Sequence, residues 1–96
     1  MDFAEAIRSR QIISFAYDGH PRIVEPAAFG RHASTGNLVL RGYQVGGSSR
    51  TRLVPLWDLF LVEKMGSPAV TGETFAEVPP KYKRDDKHIN PILAQL

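Results

Sequence analysis

Residues 34–60, STGNLVLRGYQVGGSSRTRLVPLWDLF, contain two apolar runs joined by a glycine-serine turn. The first run, LVLRGYQV (38–45), is rich in aliphatic and aromatic residues, which is typical of β-strands. Successive side chains of a strand point to opposite faces, so Leu38 and Leu40 share one face. The other face carries Val39, Arg41, Tyr43 and Val45. The stretch therefore predicts paired strands, one of which carries an arginine and a tyrosine on the same face.

Gly42, the GGSS turn and the second apolar run predict how these two strands bend and connect. Gly42 lies inside the first strand and predicts a bulge or a tight bend, which small closed barrels need. GGSS (46–49) predicts a turn, and RTRLVPL (50–56) a strand with Arg50, Arg52, Val54 and Leu56 on one face. LWDLFLVEKM (56–65) predicts the last strand, entered through a short helical turn. A hairpin about GGSS would bring both arginine-bearing faces together.

Upstream, the sequence predicts a helix and two strands. Residues 2–10 have the spacing of a capping box, with Asp2 as the N-cap and Glu5 three residues later. QIISFAY (11–17) has a strand pattern, and the following Asp-Gly pair is a turn signal. RIVEPAAF (22–29) continues as extended chain, and Pro26 predicts an edge or a bend. One short helix and about five strands indicate a mainly β fold, a small barrel of the SH3-like or OB-like kind.

Downstream of Met65 the hydrophobic pattern weakens. The last 30 residues hold four prolines and a mixed charge cluster, KRDDK (83–87). We therefore expect one domain in which residues 1–66 form the helix and the barrel strands. Residues 67–96 are predicted to be an irregular C-terminal extension that packs on the barrel or trails from it, anchored by Phe75 and Tyr82.

Composition narrows the class of protein. The 96 residues include no cysteine, which excludes disulfides and thiolate metal sites. No apolar run approaches the ~20 residues of a membrane span, and the N-terminus lacks a secretory pattern, so we expect a cytoplasmic protein. The first 52 residues hold seven arginines against four carboxylates. Arginine is suited to phosphate and carboxylate, so this bias favours an anionic partner.

The order of several motifs resembles the WYL domain family of bacterial proteins. In sequence order, the matching elements are Tyr17, RIVEP (22–26), Gly42-Tyr43, Arg52 and FAEVPPKY (75–82). The triplet that names the family appears here as Leu38-Val39-Leu40, so only its leucine is kept. The resemblance covers most of the chain and implies an SH3-type, Sm-like barrel.

The resemblance also implies a function. WYL domains are regarded as sensors of negatively charged ligands, chiefly nucleotides or single-stranded nucleic acid, in transcription regulators and CRISPR-associated proteins. We therefore expect a standalone WYL-like domain without enzymatic activity or a cofactor. Its regulatory output would pass through a protein partner or a homodimer. The three histidines are far apart in the sequence, so no metal site is expected.

The predicted ligand-binding residues are Arg41, Tyr43, Arg50 and Arg52, with Arg22 at the margin. Guanidinium groups bind phosphate, and aromatic rings stack on bases. The alternative is structural: the arginines are solvated, Tyr43 packs in the core, and Arg22 pairs with an acidic neighbour. A second function class is a protein-interaction or dimerisation module without its own ligand, which presents an edge strand or Trp57 and Phe60.

Overall fold

The computed structural model describes residues 1–49 and 53–96 and consists mainly of β-strands. It contains helix α1 (Phe3–Arg8) and strands β1 (Gln11–Tyr17), β2 (His20–His32), β3 (Leu38–Gly47), β4 (Leu56–Leu61), β5 (Gly66–Thr74) and β6 (Ile89–Gln95). A 3-10 turn (Val62–Lys64) links β4 to β5. Within the described ranges, no helix has the length and apolar character needed to cross a bilayer.

Helix α1 begins where the capping pattern predicts. The Asp2 carboxylate accepts a hydrogen bond from the backbone amide of Glu5 at 3.0 Å, and this bond satisfies one of the free amides of the first turn. Phe3, Ala6 and Ile7 are the buried residues of the helix. The predicted short helix with an apolar face is therefore confirmed.

The strands form one antiparallel sheet in the order β4-β3-β2-β1-β5, and β6 pairs with the C-terminal part of β2. The Asp18-Gly19 turn that links β1 to β2 has positive φ at both residues, as its sequence predicts. The pairings among the described residues do not connect β4 to β5, so this sheet is open at that point. Closure into a barrel therefore stays a prediction.

A bend in the middle of the sheet lies where Pro26 and Gly42 face each other. The register between β2 and β3 shifts between Pro26 and Ala28, which is the signature of an extra residue in one strand. A β-carbon at Gly42 would collide with Cγ1 of Val24. The predicted bend is confirmed, and glycine is required there because the neighbouring side chain lies close to the backbone.

The sheet has a buried cluster on each face. On the first face, helix α1 covers a cluster that includes Phe15, Val24, Leu40 and Phe60. On the second face, a smaller cluster joins Ala28, Val39 and Ile89. Alternation along β3 and β4 assigns residues to these faces: Leu40 and Phe60 belong to the first, and Val39 lies on the second.

The prediction of irregular chain after Met65 is wrong. Residues 66–74 form β5 on β1, and residues 89–95 form β6 on β2. Most residues of β5 are exposed and small or polar, so the strand lacks the alternation by which half-buried strands are recognised. Both strands depend on backbone pairing with distant partners, which sequence pattern alone does not reveal.

Two expectations around β4 also need correction. Residues 53–55 are not part of a strand, and β4 begins at Leu56. The helical turn follows β4 instead of preceding it, and β4 is not the last strand. The pairing of β4 with β3 includes Leu56 opposite Gln44, so the predicted strand bounds are replaced by Leu56–Leu61.

Candidate anion-binding site

Arg41 and Tyr43 lie on the second face of the sheet, as their alternation predicts. Their partners on β4 are Leu59 and Trp57, respectively. The predicted pairing with an arginine strand directly after GGSS is therefore wrong. Arg50 and Arg52 lie outside the described residues. The aromatic partner of Tyr43 is Trp57, with ring centroids 5.1 Å apart.

Arg22 lies in the interior of the protein instead of the candidate site. It is 3% exposed and donates to Oε1 of Gln44 at 3.2 Å and to the carbonyl oxygen of Tyr17 at 3.0 Å. Its guanidinium also lies 6.0 Å from the Phe60 ring centroid, on the first face of the sheet. The expected ion pair with Glu25 or Asp18 is not among the salt bridges of the described residues.

Arg41 is held in place by a carboxylate from the C-terminal part of the chain. Its Nε lies 2.6 Å from Oδ2 of Asp86, and the two side chains are 23% and 11% exposed. The other carboxylate oxygen, Oδ1, accepts a hydrogen bond from the His88 amide at 2.9 Å. Burial alone would raise the pKa of Asp86, but the bonds from Arg41 and His88, together with nearby positive charge, lower it below its ordinary value of 3.8.

The residues around this ion pair form a pocket of about 450 Å³. Arg41 and Trp57 contribute to it from the sheet, and residues 81–88, here called the 81–88 segment, form the rest of its lining. Nε1 of Trp57 donates to the carbonyl oxygen of Pro80 at 2.8 Å. The Trp57 and Tyr82 rings stack at 6.3 Å between centroids with 30° between their planes. The segment is thus anchored on the second face of the sheet by an aromatic contact and a hydrogen bond.

Positive charge predominates in the lining. It contains five basic side chains, Arg41, Lys81, Lys83, Arg84 and Lys87, against the two carboxylates of Asp85 and Asp86, an excess of three. The three lysines are exposed and are absent from the ion pairs of the described residues. Free ammonium groups beside aromatic rings suit an anion that also carries a planar group.

Sequence reasoning found part of this site and missed the rest. Of the predicted residues, Arg41 lines the pocket and Tyr43 contacts the ring of Trp57, whereas residues 81–88 were expected in an irregular extension. One signal was present: KYKRDDKH (81–88) combines four basic residues with a tyrosine. The sequence did not indicate that this segment crosses Trp57, which is more than twenty positions earlier in the chain.

The Asp86 ion pair predicts how stability depends on pH. A carboxyl group whose pKa is lower in the folded state stabilises the fold above its unfolded pKa, and this contribution is lost as pH falls through the folded value. We expect the stabilisation by Asp86 to be complete well above pH 3.8 and to be lost below it. Urea denaturation of the wild type and Asp86→Asn should differ most near neutral pH and converge in acid. A difference that does not change with pH would contradict this.

Comparisons of the chain with models of protein families, with curated proteins and with solved structures find no match. The resemblance to WYL domains is therefore still a prediction from the sequence motifs. The pocket geometry is independent of that resemblance.

Proposed function

We propose that this protein is a WYL-like ligand-sensing domain that binds a nucleotide or a short single strand of nucleic acid in the pocket of the 81–88 segment. The observation that carries the proposal is the excess of three positive charges in a pocket that also contains Trp57 and Tyr82. Its volume, about 450 Å³, is within the usual range for small-molecule sites. Regulation of transcription or defence is the role that the family resemblance adds.

The chemistry of the lining suits this class of ligand. Lysine and arginine side chains neutralise phosphates, which makes binding strong at low salt. Aromatic rings add base stacking that does not depend on base identity. The ring centroid of Trp57 lies 5.1 Å from that of Tyr43 and 6.3 Å from that of Tyr82. We therefore assign the stacking contact to Tyr82, because Tyr82 lines the pocket and Tyr43 is not among the described lining residues.

The topology supports the barrel part of the proposal. Strands β1 to β4 follow one another as antiparallel neighbours, and β5 returns to the free edge of β1. This connectivity brings the last strand of the series back beside the first, as closure of a small barrel requires. The 3-10 turn between β4 and β5 is short enough to hold these two strands at adjacent edges.

The proposal is tested by fluorescence anisotropy with labelled DNA and RNA single strands of about ten nucleotides. The triple variant Lys81→Gln/Lys83→Gln/Lys87→Gln removes the charges of the three lysines that line the pocket. We expect it to weaken binding by about a hundredfold at low salt and to reduce the salt-dependence slope by about 2. AMP as an unlabelled competitor then tests whether a single nucleotide suffices.

A matched control removes the same charge elsewhere. Arg8, Arg31 and Lys64 are exposed, and none of them lines the pocket. Replacing all three with glutamine should weaken binding by less than about threefold, since distant charges act only through the screened field of the protein. Equal losses in the two triple variants would place binding outside the pocket.

The alternative is a protein-interaction or dimerisation module. Phe60, which this alternative expected on the surface, has no exposed surface. The alternative is favoured instead by apolar side chains of the sheet that are exposed to 38% (Ile23 and Val45) and 49% (Val70). An interaction built on these residues should depend only weakly on salt, whereas phosphate binding weakens steeply between about 50 and 200 mM. Absence of nucleic-acid and nucleotide binding, together with salt-insensitive self-association in sedimentation, would favour this module over the sensor.

A further inference from the structure

We propose that Asp86 is an internal competitor for the ligand: its carboxylate occupies the position on Arg41 that a ligand phosphate takes, so binding exchanges one anion for another. This inference rests on the proposed function and adds a regulatory step to the same site. In the ligand-free protein, Arg41 is already engaged by a carboxylate. Affinity is then set by competition between Asp86 and the ligand.

The geometry of the pair supports the exchange. Arg41 Nε donates to Asp86 at 2.6 Å, which is the length of a strong charge-assisted hydrogen bond. Both residues line the pocket, so the pair lies where an anion would enter. In the described part of the chain, Arg41 is the one cation of the lining that forms an ion pair with a carboxylate. A phosphate can bind the lysines freely, but it reaches Nε of Arg41 only when Asp86 leaves.

Asp86 is fixed to its own segment, so it moves together with that segment. Its second oxygen accepts the His88 amide at 2.9 Å, a local bond that displacement from Arg41 does not break. The same segment contacts Trp57 through Tyr82, and Pro80 just before it accepts a hydrogen bond from the Trp57 indole. Displacement of Asp86 from Arg41 is therefore expected to alter the packing around Trp57. Trp57 is the single tryptophan of the chain, which makes its fluorescence a direct report of the exchange.

Asp85 supplies a matched control. It lines the same pocket and has the same charge, but its Oδ1 accepts from Nε2 of Gln95 at 3.0 Å instead of from an arginine. Asp85→Asn and Asp86→Asn thus change the net charge of the lining equally. Only Asp86→Asn releases Arg41, while its side-chain oxygen can still accept the His88 amide.

The experiment measures the affinity of the wild type and both variants for a fluorescein-labelled oligo(dT) of about ten nucleotides. We expect Asp86→Asn to bind about tenfold more tightly than the wild type, and Asp85→Asn about two- to threefold more tightly through net charge alone. In an Arg41→Gln background, the extra gain of Asp86→Asn over Asp85→Asn should disappear. Trp57 emission should change on binding in the wild type, and should already be changed in ligand-free Asp86→Asn but not in Asp85→Asn.

Two results would overturn the inference and are distinguishable. If all three proteins bind and the two variants have equal affinities, only the net charge of the lining affects binding. The proposed sensor function would then be kept, and the proposal that Asp86 competes with the ligand would be rejected. Absence of binding by all three proteins would remove the proposed function and the competitor with it. Thermal unfolding of each variant verifies that the proteins compared are folded.

Discussion

Replacing Phe60 with alanine is expected to lower the free energy of unfolding by about 3–5 kcal/mol, because a large buried ring is removed from the core. Phe60 has no exposed surface. Its ring meets those of Phe15 and Tyr17 edge-on, with centroids 5.0 and 5.1 Å away, and the Arg22 guanidinium lies over its face. Truncation leaves a cavity among these groups and removes an apolar surface that helps to cover a buried cation.

Urea denaturation followed by far-UV circular dichroism measures this loss. The control is Leu53→Ala, since Leu53 is also large and apolar but is 91% exposed, and its replacement should change stability by less than about 0.5 kcal/mol. Because a domain of this size has a total stability of about 5–15 kcal/mol, this loss is a large fraction of the whole. A loss below about 1 kcal/mol would mean that Phe60 is not central to the core.

Gly30→Ala is expected to cost about 3 kcal/mol, although it adds only one methyl group. A β-carbon at Gly30 would collide with the carbonyl oxygen of Pro91 and would lie 2.6 Å from Cγ2 of Ile89. The obstacle includes backbone, which cannot rotate away, so β6 must shift from β2. The variant therefore tests whether the C-terminal strand is part of the folded sheet.

Gly66→Ala is the control for this substitution. Its β-carbon would lie 3.3 Å from Cβ of Ala16, a contact that a small shift of an exposed edge strand relieves. We expect a change within about 1 kcal/mol. Hydrogen exchange should show faster exchange of the β6 amides in Gly30→Ala and unchanged exchange there in Gly66→Ala. Equal stabilities of the two variants would indicate that β6 packs less closely on β2 than the structure shows.

The elements predicted from sequence share a property: their pattern is local. Helix α1 has its cap and its buried residues within six positions, and β1 alternates buried Ile13 and Phe15 with less buried neighbours. In contrast, β5 and β6 are recognisable only from their partners. Strand β5 is mostly exposed. Strand β6 contains Pro91, and a proline within a segment makes a strand less expected there.

The candidate site was only half predictable for the same reason. Alternation along β3 correctly placed Arg41 and Tyr43 on one face, because neighbours on a strand are related by a fixed period. The groups that complete the site, Trp57 and the 81–88 segment, come from a different strand and from a connection between strands. Their proximity to Arg41 results from the path of the chain between β5 and β6, which no local pattern specifies. Arg22 was predicted at the margin of the site because arginine side chains are rarely buried, so there was no reason in the sequence to expect this one in the interior.

The pairing of β2 with β1, β3 and β6 has a kinetic consequence. Residues 89–95 of β6 pair with residues 28–32 of β2. A loop of about 60 residues must therefore close before these hydrogen bonds form. Topologies dominated by such distant pairings fold in about milliseconds to seconds, whereas helical bundles fold in microseconds to milliseconds. During this interval the C-terminal part of β2 lacks one of its neighbours and presents an open edge. The aggregation risk of this protein should therefore be greatest early in refolding and should fall as β6 docks.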